Sequence, residues 1–187
     1  MKQLKTFTIL LFLLSYGTTT TLAQTSAKDE FGFSIGLQTG GEAYIAEFDE
    51  FVALESGLSL LGFYDFFITD KFAIGANANV AFPSLELSDE SVTFYELALA
   101  LKVKFSLSDK VSYKPGANFG YRLITAEDID TIEGLGLNLT NEFQFHISET
   151  ITPFVDVGFI SQAAGGNDEF NATFSPIIVI RVGIVFN

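Results

Sequence analysis

Along most of this chain the large hydrophobic residues fall on every second position. The stretch FYDFFITDKFAIGANANVAF, Phe63 to Phe82, shows the rule and its one break. Tyr64, Phe66 and Ile68 share a face, Thr69-Asp70-Lys71 interrupts, and Phe72, Ile74, Val80 and Phe82 resume it. A period of two belongs to a β-strand, whose successive side chains point to opposite faces. Eight such segments are predicted: Phe31 to Gln38, Leu58 to Ile68, Phe72 to Phe82, Tyr95 to Phe105, Val111 to Leu123, Leu135 to Ile147, Ile151 to Phe159 and Phe174 to Phe186. Short turns near residues 70, 108 and 149 alternate with longer polar links at 39–56, 83–93, 124–134 and 161–173. A meander with short turns at one end and long loops at the other predicts an all-β fold, an eight-stranded antiparallel up-and-down barrel.

Which face meets which solvent follows from composition by parity. The apolar face carries no Asp, Glu, Lys, Arg or His; Gly62 and Asn141 are its mild exceptions. The opposite face holds Asp65, Glu96, Lys102, Lys104, Lys114, Arg122, Glu142, His146, Asp156 and Arg181, set among Gly, Ser, Asn and Thr. A lipocalin-like barrel would turn the apolar face inward and the charged face to water. A transmembrane barrel inverts this, and three features favour inversion. Small and polar residues suit a narrow interior that side chains must fill. The apolar face has more bulky Leu and Phe than eight strands could enclose. Its aromatics (Phe31, Tyr64, Phe66, Phe72, Phe82, Tyr95, Phe105, Tyr113, Tyr121, Phe145, Phe174 and Phe186) recur near strand ends, as interfacial girdles require. A charge on a lipid-facing strand costs about 2–4 kcal/mol at the midplane, which explains the absence of any there.

The hairpin FYDFFITDKFAIGANA, the segment ITPFVDVGF and the closing IIVIRVGIVFN resemble those of the small, porin-like outer-membrane β-barrel proteins of Gram-negative envelopes. The resemblance spans residues 24–187 and marks fold, not activity. It implies insertion among outer-membrane lipids and recognition by the barrel-assembly machinery through an aromatic at the end of the last strand. Here that assembly signal is Phe186, followed by Asn187. The resemblance brings no catalytic residues and no cofactor.

The N-terminus fits export to such a membrane. Lys2 and Lys5 form a basic start, Phe7 to Leu14 is almost wholly apolar, and Thr21-Leu22-Ala23 approximates a small-x-small cleavage site. Residues 1–23 are expected to be a cleaved signal peptide, since the apolar run is too short to span a bilayer as a helix. Removing them leaves eight basic residues against twenty-three acidic ones, a formal charge of −15. So acidic a chain is not expected to bind nucleic acid, which needs surface Lys and Arg. The chain has no Cys, which excludes disulfides, thiolate metal sites and a Cys nucleophile.

Three groups of residues carry candidate chemistry. The interior ions nearly balance, and strand adjacency sets Glu96 beside Arg122 and Asp156 beside Arg181. Buried ions must be paired, so a structural plug of salt bridges is expected, with a narrow cation-preferring pore as the alternative. His146, the one histidine, follows Glu142 by four residues. Some small barrels of this envelope are lipid-modifying enzymes using His with Ser or an acid. An inward His at the short-turn end lacks the access that chemistry needs, so no enzyme is expected. The long links hold fourteen acidic residues and no Lys or Arg. A solvated rim is the plain reading, and binding of divalent cations or a basic partner the functional one. The segment GGNDEF matches no EF-hand loop, a single His with no Cys makes no transition-metal site, and Asn138-Leu139-Thr140 lies mid-strand, so its glycosylation pattern reads as chance. The expected whole is a monomeric outer-membrane barrel with a structural or surface-interaction role.

Spin labels placed at Leu99 and Val157 are expected to be quenched by lipid-soluble oxygen and not by a water-soluble nickel chelate, with a label at Ala98 shielded from lipid. The opposite pattern would turn the barrel inside out.

Overall fold

The computed structural model describes residues 29–39, 41–45, 50–85, 88–126, 129–166, 171–174 and 177–186. The expected signal segment 1–23 lies outside them, as do Glu47, Asp49, Glu86, Glu127, Asp128, Asp168 and Glu169 of the acidic links. The described strands are β1 Glu30–Gln38, β2 Gly41–Ile45, β3 Glu50–Leu54, β4 Gly57–Phe67, β5 Phe72–Phe82, β6 Ser84–Leu85, β7 Ser88–Val103, β8 Phe105–Ser108, β9 Val111–Ala126, β10 Ile129–Phe145, β11 Ile151–Gly166, β12 Asn171–Phe174 and β13 Ile177–Phe186. None of the described residues is helical.

Eight of these strands are the staves of a closed antiparallel barrel in up-and-down order: β1, β4, β5, β7, β9, β10, β11 and β13. The ring closes where β13 returns to β1, with Phe31 opposite Phe186 and Gln38 opposite Val179. Aromatic contacts fasten this seam, for the Phe186 ring lies 6.4 Å from Phe31 and 5.8 Å from Phe33 between centroids. The residue expected to serve as the assembly signal therefore also packs across the closing edge.

Much of the four long links is strand. β2 pairs with β3 and β12, β3 meets β6, and β7, β9, β10 and β11 run well past their expected ends. These pieces continue the staves, so the wall rises beyond the apolar band at the long-link end. Polar composition concealed this, because the outer face of these strands carries polar residues and their apolar ones, Leu54 and Val92 among them, turn inward. A second departure lies at Lys104, just past the end of β7; the short β8 pairs with β9, and all four of its residues are exposed.

Within the apolar band every stave turns large hydrophobic residues outward. Phe33, Leu60, Ile74, Leu99, Phe119, Leu137, Phe159 and Ile180, one from each stave, are each at least 40% exposed, a pattern that only lipid makes favourable. Asn141, the one outward amide among the described residues, is not left bare. Its side chain accepts the Tyr113 hydroxyl proton at 2.6 Å and donates to the Val157 carbonyl at 3.2 Å. The inward face alternates glycine with large side chains, so that a neighbour fills each gap. Arg181 lies over Gly36, and a Cβ there would stand 2.6 Å from the Arg181 Cα as well as striking the Ile180 carbonyl. A Cβ at outward-facing Gly62 would meet nothing within 4 Å.

Gly36→Ala is expected to destabilise the barrel by about 1–3 kcal/mol through overpacking, whereas Gly62→Ala should stay within about 0.5 kcal/mol of wild type. Urea titration in micelles, followed by circular dichroism, reads both. Equal losses would contradict the placement of the two faces.

Candidate functional site: the ionic lumen

Because Lys102 and Lys114 alternate with outward residues on β7 and β9, both project into the lumen, where staves distant in sequence bring carboxylates to meet them. Lys114 is fully buried and contacts three acids: Glu30 at 2.6 Å, Asp65 at 2.9 Å and Glu142 at 3.0 Å. Lys102 pairs with Asp65 at 2.8 Å and reaches Glu142 at 4.0 Å. Both ammonium groups also sit near the Phe63 ring, 4.2 and 5.1 Å from its centroid. Glu30 binds Lys104 at 2.5 Å and accepts from the Gln144 amide at 2.7 Å. This tier occupies the short-turn half of the lumen.

Two further tiers lie toward the long-link end. Arg181 donates to Asp156 at 3.0 Å, to the Ser59 hydroxyl at 3.2 Å and to the Asn79 amide oxygen at 3.3 Å. Glu96 and Arg122 stand opposite each other on β7 and β9; the Arg122 Nε donates to Glu96 at 2.9 Å, its Nη2 bonds the same oxygen, and Asn138 bonds both partners. Beyond them the lumen turns apolar. Leu54, Val92, Phe94, Ile124, Ile160 and Ile177 form one buried cluster across it.

Sequence reasoning placed ten ionisable side chains on the inward face, and the structure finds all of them there, with Lys104 and His146 only partly buried. It missed Glu30, which is 2% exposed and completes five carboxylates against five basic groups. The signal was available: Glu30 shares the parity of Gly32 and Ser34, one step before the first apolar residue. The apolar cluster was also missed, because Phe94, Ile124, Ile160 and Ile177 fall in the polar phase, where each looks like an isolated exception. His146, one residue past the end of β10, has its Nε2 2.7 Å from the Ser112 hydroxyl and its Nδ1 3.4 Å from that of Thr152. Burial pushes the imidazole below its ordinary value, Lys104 pushes the same way and Glu30 opposes them. Burial and Lys104 together favour the neutral ring.

A closed eight-stranded antiparallel wall with an apolar exterior and an ion-paired lumen is the fold of the small transmembrane β-barrels. No protein-family model matches the chain, and no curated protein matches it in sequence. Among solved structures it is similar to Neisserial surface protein A, with a TM-score of 0.61 at 9% identity over 83% of this chain and 96% of that one. A major outer membrane protein from Thermus thermophilus matches at TM-score 0.51 and 14% identity, over 86% and 99% of the two chains. The outer membrane protein AlkL matches at 0.50 and 10%, over 89% and 92%. At such identities the likeness is one of fold.

Lys114→Met is expected to lower unfolding free energy by about 3–5 kcal/mol, because it leaves Glu30, Asp65 and Glu142 facing one another without their shared cation. Adding Glu30→Gln should recover part of that loss. Micelle urea titrations of the two variants check it, and a double variant weaker than the single one would contradict the network.

Proposed function

We propose that the protein is an integral outer-membrane barrel that conducts nothing and acts at its external rim, in envelope integrity, adhesion or contact with a basic partner. One observation carries this reading: three tiers of paired ions fill the lumen, and an apolar cluster crosses it at the long-link end. Only the wall extension and its links are then offered to the outside. They hold the fourteen acids, a surface suited to polybasic segments or divalent cations. Phe51, 67% exposed on the extension and 5.0 Å from the Tyr44 ring, adds an aromatic to that surface. The similar Neisserial protein is by name a surface protein.

The pore reading would need an open path, and the lumen's charges are all engaged with one another. The enzyme reading would rest on His146 and Ser112, yet Ser112 is 3% exposed and lies at the short-turn end. A nucleophile must be reachable by its substrate, so no catalysis is assigned to this pair.

Reconstituted in planar bilayers, the protein is expected to give no stepwise conductance, while proteoliposomes should bind polylysine in a manner that weakens as salt rises from 50 to about 300 mM. Steps that change in Glu96→Ala would replace this reading with the pore. Lipid turnover lost in His146→Ala would replace it with the enzyme, and a failure to retain polylysine or Ca²⁺ would remove the rim's role.

A further inference from the structure

Beside the Glu96 and Arg181 tiers the lumen encloses a small chamber, with about 10 Å³ of space for the centre of a water-sized molecule. Ala98 and Ala100 of β7 stand opposite Asn77 and Asn118 on the flanking strands, and Gly116 and Gly158 flank Thr140. Two of the amides lining the chamber are engaged: Asn79 accepts from Ser59 and Arg181, and Asn138 bridges Arg122 and Glu96.

Three other polar groups there are not. The Asn77 and Asn118 amide oxygens and the Thr140 hydroxyl are buried without a hydrogen-bond partner, on residues 4%, 3% and 8% exposed. They come from three staves, β5, β9 and β10, and line the same enclosure. Buried acceptors left unpaired are rare in native proteins, and a set of them around one void points to a missing donor.

We propose that this chamber is a binding site for a single water molecule held by Asn77, Asn118 and Thr140. The accounting of protons closes. The water donates one hydrogen to each amide oxygen and accepts the hydroxyl proton of Thr140, making three bonds, the usual number for a buried water. The available space is that of about one such molecule. A monovalent cation fits less well: the lumen already balances five acids with five bases, so the ion would add an unpaired buried charge. It would also leave the Thr140 proton with no acceptor. The site stands independently of the rim's role, and a conducting protein would not by itself remove it.

The test is a high-resolution crystal structure of the full chain in detergent, with a second crystal soaked in a rubidium salt. The expected result is one peak within hydrogen-bond distance of all three oxygens and no anomalous rubidium signal there. In Asn77→Leu/Asn118→Leu, which replaces both acceptors by apolar groups of similar shape, that peak should vanish. Nuclear Overhauser transfer from a long-lived water to the Thr140 side chain, measured on the wild type in micelles, supplies the same answer if the variant fails to fold. An empty chamber, direct bonds among the three side chains, a rubidium peak, or a peak that persists in the variant would each overturn the proposal.

Discussion

Hydrocarbon offers no hydrogen-bond partners, and every feature of this chain answers that constraint. A strand inserted in lipid must pair its amides and carbonyls on both edges, so an open sheet is excluded and the last stave must meet the first. The β1–β13 seam does this with an unbroken register from Phe31–Phe186 to Gln38–Val179. Closure with eight staves fixes a narrow bore, and the bore then dictates the composition of the inward face.

The polar interior is a consequence of that geometry. Charges barred from the lipid face by several kcal/mol each can sit only on the lumen side, and there they have little water. They survive by pairing. Lys114 shows how far this goes: fully buried, it is shared by carboxylates from three staves and lies beside an aromatic ring. The glycines opposite such side chains supply the room, so large and small alternate around the bore as well as along each strand.

Some of this network could be read from hairpin order alone. Glu96 and Arg122 lie on consecutive staves, as do Asp156 and Arg181, and a register count brings each pair together. The Glu30–Lys114 contact could not be read that way. Its partners are 84 residues apart on β1 and β9, which share no edge and face each other across the lumen. The wall extension was likewise hidden, since its strands run through water and the alternation that betrays a strand in lipid fades there.

The sequence by itself determined the number of staves, which face meets lipid and which residues turn inward, because a two-residue period maps each side chain to a face whatever the rest of the chain does. Only the tertiary structure decided which charges meet, that Glu30 completes the balance of acids and bases, and that Phe94, Ile124, Ile160 and Ile177 gather into one apolar layer. Those facts depend on distances across a closed ring, and a linear pattern carries no information about what stands on the far side.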